Sequence, residues 1–374
     1  MSCGCLFGSC IRAVCCCGSQ SCRDEVGIEW IMNSESITVT HAAILALLSR
    51  LDRTAISQAW EKTKMKNPFL HVKWSAGFIK NLPVDQSKPE FVSCAEAEFA
   101  DYFNASANIK VDSSRLMIYE AGLTIQIIVV TPHSLADGTS MMLILYDLLT
   151  FYEKPFLSQT LITEYPVAAQ HLGPNLDPKM VQAFKEKTVR DAKAFKNVVP
   201  RVQFEKARPK KSPTKVTIGK GTPEASEKLL AFCRKHGITI GTYLTAAFAF
   251  INSKIMKEHC KELQFGLDYN LRDRFPRKLG NTTVATYISE NTHRPNAELH
   301  ESIVQVAARM KADINRGIQN QEPFMLKALI DLYIKDEKMF RPPEQNHCSK
   351  LLDYFDILKV FKRLECELFE RRKI

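Results

Sequence analysis

The chain lacks any run of apolar residues long enough to cross a bilayer. Its longest candidates, Ala42–Leu48 and Ile125–Val130, fall far short of the ~20 residues a spanning helix needs. It also lacks an apolar N-terminal core of secretory length, so the expected location is the cytoplasm. Zinc-finger spacing, an aromatic-interleaved basic sheet motif and a basic leucine-zipper pattern are all missing. Nucleic acid is therefore a poor partner despite the formal charge of +10. The Gly-x-Ser-x-Gly turn that a Ser/His/Asp hydrolase needs is absent. His236, His259 and His347 lie near Cys233, Cys260 and Cys348, but none sits in a four-ligand pattern. They read as exposed helix ends, and no metal is expected.

The composition is that of an ordinary globular protein, 45% hydrophobic and 25% charged. A length of 374 residues exceeds what one core organises, which predicts two domains. The positive charge suits a membrane surface or a phosphorylated carrier. Cysteine is unevenly spread: Cys3, Cys5, Cys10, Cys15, Cys16, Cys17 and Cys22 are seven of the twelve. The cluster contains no histidine and no repeated C-x-x-C pair, so zinc is a poor reading. Beside Leu6, Phe7 and Ile11 it suits S-acylation and contact with a membrane surface. A head without a role, or a start at Met32, are the alternatives.

Residues 1–27 read as a Cys-rich head outside the fold, and 28–177 as an N-terminal half. A basic crossover follows at 178–222, with Lys206, Arg208, Lys210, Lys211 and Lys215 accompanied by Pro200, Pro209 and Pro213. Residues 223–374 form a C-terminal half. Helical patterning is expected from about Thr40 through Leu48, then from Arg53 to Met65, with Asp52 as N-cap and Pro68 as terminator. Leu70, Val72 and Trp74 predict a strand. Arg115–Glu120 and Leu123–Thr131 predict two strands joined at Ala121-Gly122, the second buried on both faces. Pro223 opens a helix capped by Thr222 and ended near Gly237. Residues 241–256 are apolar nearly all round, which predicts a buried helix. Leu263–Asn270 and Thr283–Ile288 predict strands, with helix from Asn296 onward.

Pro132-His-Ser-Leu-Ala-Asp-Gly138 carries the chemistry. A histidine at the end of a buried strand is held rigidly, and its pKa near neutrality suits proton transfer. Asp137 reads two ways: it fixes the loop through a buried cation, or it is simply the N-cap of the next helix. Gly138 would let the backbone turn tightly into that helix.

This segment resembles the His-His-x-x-x-Asp-Gly motif of the CoA-dependent acyltransferase superfamily. Three further stretches are similar, in the same order: Leu51–Leu70, ending Lys-Asn-Pro-Phe-Leu; Leu229–Ile251; and Phe265–Asn281, with its Asn-Leu-Arg. The alcohol acetyltransferase and polyketide-associated branches are nearest. The absence of an Asp-Phe-Gly-Trp-Gly segment argues against the plant branch. The resemblance implies an α/β fold of two similar chloramphenicol acetyltransferase-like halves with mixed sheets and an active-site tunnel at their interface. It implies His133 as general base and Asp137 as a structural aspartate paired with an arginine. Arg272 is the matching candidate, with Arg274 close by. No bound cofactor is implied; acyl-CoA is the co-substrate, and a hydroxyl-bearing small molecule or lipid is the acceptor. Amide formation of the condensation type is the nearest variant, and a non-catalytic binding or scaffold protein the other. Two departures stand out. Pro132 replaces the first histidine, and the part after about 317 lacks the strand-rich pieces that complete the second half.

Overall fold

The computed structural model describes residues 22–24, 37–75, 78–194, 216, 221–256, 265–277, 279, 282–293 and 301–330. Two compact units are present. The first is Met1–Leu172 with Thr214–Val216 and Arg277–Tyr287; the second is Gly173–Pro213, Thr217–Pro276 and Ile288–Ile374.

The centre of the first unit is a four-stranded mixed sheet. Its strands are β2 (Thr38–Ala46), β5 (Glu90–Ser93), β6 (Arg115–Ala121) and β7 (Thr124–Pro132), in the order β2-β7-β6-β5. The β2–β7 and β7–β6 pairs are antiparallel and β6–β5 is parallel. The expected β6–β7 hairpin forms, and Gly122 at its turn takes a φ of 65°, where glycine carries no steric penalty. Alternate residues divide between two cores. Leu116, Ile118, Ile125, Ile127 and Val129 face one side, where α1 (Arg53–Lys66) and α3 (Gly138–Glu153) supply Ile56, Trp60, Ile144 and Leu148. Met117, Tyr119, Ile128 and Val130 face the other, against Phe99 of α2 (Phe99–Ser106). β7 is thus buried on both faces, as its apolar run predicts.

Local chemistry sets the helix ends. Asp52 accepts from the amides of Thr54 and Ala55, which starts α1. The chain leaves α1 through a 3-10 turn at Pro68–His71 and enters β3 (Val72–Ser75). β3 pairs with β4 (Phe78–Asn81), and β4 with β1 (Cys22–Asp24).

In the second unit, α4 (Pro178–Ala194), α5 (Pro223–Lys235), α6 (Ile240–Met256) and α7 (Ile303–Gln319) accompany an antiparallel pair, β8 (Phe265–Asn270) and β9 (Ile288–His293). Cys233, Ile238, Ala246, Val306, Ala307 and Met310 form one core. Phe184 packs with Met325, Leu326 and Leu329, from a helical turn at 322–330, in another. Thr222 caps α5, and Gly237 follows it at a φ of 63°.

Several expectations change. The segment from Thr40 to Leu48, expected to be helical, instead holds the strand β2, which runs from Thr38 to Ala46. Its Ala/Leu content hid an edge strand that β7 templates across nine residue pairs. Cys22–Asp24, read as part of a detached head, is the strand β1. Residues 178–194 of the basic crossover form α4, while Lys206–Lys215 lie outside the described residues. The helix α6 is buried on one side only: Ala246 and Ala249 are covered, but Leu244, Phe248 and Ile251 are each more than half exposed. The strand expected at Thr283–Ile288 begins only at Ile288, because the residues before it bond elsewhere. Among the described residues no helix is long and apolar enough to cross a membrane.

Candidate active site

β7 ends at Pro132, which has no amide hydrogen to continue the ladder. The next amide, that of His133, donates to Ile37 O at 2.8 Å, and Leu135 N closes a turn onto Pro132 O at 2.9 Å. His133 is thereby delivered, half-buried, at the end of a strand that is buried along its length. Its Nδ1 lies 3.0 Å from Ala136 O. A carbonyl oxygen can only accept, so Nδ1 carries a hydrogen. In the neutral ring the lone pair then belongs to Nε2. One contact fixes both the tautomer and the ring's direction.

Asp137 is fully buried and occupies the N-cap of α3. Its Oδ1 accepts from Ser140 N at 2.8 Å, as the simpler of the two sequence readings requires. Its Oδ2 accepts from Tyr287 N, also at 2.8 Å. Amide donors and the positive end of the helix stabilise the buried charge.

Tyr287 belongs to a strap, Thr283–Tyr287, whose last three residues each grip the His133 loop. Ser140 Oγ donates to Ala285 O at 2.7 Å and accepts from Ala285 N at 3.0 Å. Thr286 Oγ1 donates to His133 O at 2.8 Å. The Tyr287 hydroxyl donates to Val167 O at 2.9 Å and anchors the strap. Sequence reasoning missed Ser140 and Thr286. Nothing local marks them: a serine in the first turn of a helix and a β-branched residue in an apolar run have ordinary structural uses.

Gly138 is not needed for the turn. It is the first residue of α3, its backbone is outside the left-handed region, and an added Cβ meets no atom within 4 Å. Arg272 lies in the second unit, just beyond β8, fully buried. Its amide donates to Asn270 Oδ1 at 3.0 Å. Arg274 is exposed and sits over the Tyr269 ring at 5.8 Å, with Nε donating to Asn270 O.

Other ionisable groups form separate clusters. The Tyr269 hydroxyl meets His293 Nε2 at 2.6 Å, and His293 Nδ1 meets Asp313 Oδ2 at 3.1 Å. Burial pushes the Tyr269 phenol up to about 12, so it stays protonated and donates to the imidazole. With Tyr269 and His293 both buried, this chain ties β8 and β9 to α7. Cys233 is a core residue, and His236 lies against Phe232 with ring centroids 4.5 Å apart. His259, Cys260, His347 and Cys348 are outside the described residues. Among the described residues no three His, Cys, Asp or Glu side chains could hold a metal ion.

No protein-family model matches the sequence, and no curated protein matches it in sequence. Solved structures do match in three dimensions. Polyketide synthase associated protein 5 from Mycobacterium tuberculosis aligns with a TM-score of 0.54 at 14% identity, over 81% of this chain and 75% of that one. The condensation domain of the Monacolin K polyketide synthase MokA aligns at 0.56 and 12% identity, over 87% and 78%. The chain has the chloramphenicol acetyltransferase-like fold. The first condensation domain of the calcium-dependent antibiotic synthetase, in complex with a substrate analogue, is a further match at 0.54 and 14% identity, over 81% and 76%. The acyltransferase-like fold expected from the ordered motifs is therefore present.

Proposed function

We propose that the protein transfers an acyl group from a CoA thioester to a hydroxyl acceptor, with His133 as general base. The observation that carries this reading is the hydrogen bond from His133 Nδ1 to Ala136 O, which leaves Nε2 as the basic nitrogen. Nε2 would take the proton of the acceptor hydroxyl as its oxygen attacks the thioester carbonyl carbon. A C–O bond forms, the tetrahedral intermediate collapses, and the C–S bond breaks. The departing CoA thiolate recovers the proton from His133. Base catalysis of this kind typically contributes ~10²–10⁴ in rate.

Asp137 and Arg272 hold structural roles in this proposal, each within its own unit. Of the two arginines Arg272 is the better candidate for such a role: it is fully buried, whereas Arg274 is exposed and engaged with Tyr269. The cysteine-rich head would bring the enzyme to a membrane surface and so to lipid acceptors.

Amide formation is the second reading, favoured by the likeness to condensation domains. The test is thiol release from a panel of acyl-CoAs, offered alcohols or amines, by wild type and His133→Ala. Release with alcohols that falls at least a hundredfold in His133→Ala supports the proposal. Release only with amines moves it to the second reading. Equal rates in both proteins remove His133 as the base, and no release in either when both are folded leaves a non-catalytic binding protein.

A further inference from the structure

Thr286 is nearly fully buried, and its hydroxyl donates to the main-chain oxygen of His133, 153 residues earlier in the sequence. The neighbouring residues Ala285 and Tyr287 already secure Ser140 and Asp137 through their backbones. Those two contacts are made by main-chain amides and do not use the side chain at 286. The hydroxyl does something the backbone does not: it fixes the peptide unit that begins the His133–Ala136 turn. The imidazole reaches Ala136 O across that same turn. The orientation of the ring is thus set from both ends, by Ala136 at Nδ1 and by Thr286 at the backbone.

We propose that Thr286 is a positioning residue for His133, acting through its side-chain hydroxyl to hold the Nε2 lone pair toward the reacting hydroxyl. Its catalytic consequence rests on the reading of His133 as the base. Without the hydroxyl, His133 O loses its donor and the 133–134 peptide can tilt within a turn that only the amides of His133 and Leu135 still hold. The ring then samples directions in which Nε2 no longer lines up with substrate, and misplacement on the scale of 1 Å is enough to slow a reaction strongly. Thr286 is buried and acts on the direction of the ring, so kcat should fall while KM holds.

The test compares Thr286→Val, which removes the hydroxyl, with Thr286→Ser, which keeps it. Two readouts are taken on the full chain. One is steady-state acyl transfer; the other is the nitrogen NMR signal of His133 in histidine-labelled protein, assigned by its loss in His133→Ala. The expected result for Thr286→Val is a fall in kcat of about tenfold or more with KM within about twofold, and a His133 signal that moves away from the pure Nδ1–H tautomer. Thr286→Ser should restore both. If Thr286→Val does not fold, Thr286→Cys replaces it as a side chain of similar size with a weak donor. A wild-type His133 signal and kcat in the valine variant overturns the proposal. So does a serine variant that fails to recover, which would assign the effect to packing of the methyl group. Absence of acyl transfer in wild type would count against the assigned activity, and the tautomer signal would still decide whether Thr286 orients the ring.

Discussion

The amide of Tyr287 donates to Oδ2 of Asp137 at 2.8 Å, joining residues 150 apart in sequence. Oδ1 of the same carboxylate caps α3 through Ser140 N. One buried side chain therefore closes a helix end and secures the strap. Asp137→Ala should lose a cap worth ~1 kcal/mol and strand a buried amide at ~1–3 kcal/mol, roughly 2–4 kcal/mol together. Asp137→Asn keeps one acceptor and should lose less. Denaturant unfolding gives the sum, and hydrogen exchange at Tyr287 N reports the strap directly. Unchanged protection of that amide in Asp137→Ala would refute the dual role.

Gly138 makes a different prediction, because the fold itself does not require it. Gly138→Ala should fold normally and gain up to ~1 kcal/mol from the better helix former. If activity nevertheless falls, substrate must approach the backbone at this point. A destabilised alanine variant would show that the space beside Gly138 is filled in solution.

The pH dependence of stability should have two separable parts. His71 is buried, and burial outweighs the nearby backbone groups of Leu82 and Ile162 to lower its pKa below 6.5. Above pH 6.5 the group is neutral in both states and costs nothing. As pH falls below 6.5 the unfolded chain takes a proton that the folded one resists, so stability drops. His71→Leu should flatten that acid limb in a series of melting temperatures. Glu290 behaves oppositely: burial, then the charge of Asp268 opposite it on β8, raises its pKa from 4.5 to about 7. The folded state holds the proton longer, so stability declines as pH rises from 4.5 to about 7 and stays lower beyond. Glu290→Gln should therefore be more stable than wild type at pH 8 and nearly equal to it at pH 4. A variant that tracks wild type across the whole range would discount the shift.

Much of the first unit could be read residue by residue. Asp52, Asp137 and Thr222 declare helix starts because capping is a contact between a side chain and an amide two or three residues on. Gly122 and Gly237 declare turns because only local backbone sterics matter there. The near-continuous apolar run of Ile125–Val130 declares a strand buried on both sides. His133 was legible for the same reason: a proline-stopped strand followed by a short loop delivers a side chain to a predictable place. By contrast, Thr40–Leu48 looked helical, since an edge strand owes its conformation to the neighbour that hydrogen-bonds it rather than to its own side chains.

The sequence by itself determined the caps, the hairpin, the buried strand and the identity of the general-base candidate, all of which depend on interactions within a few residues. Only the tertiary structure decided how that histidine is held. The tautomer rests on Ala136 O, the peptide on Thr286 and the Asp137 carboxylate on the amides of Ser140 and Tyr287, and each of these partners acts across more than a hundred residues or through the backbone. Backbone donors and acceptors are the same at every position, so no choice of amino acid announces which of them a distant loop will meet.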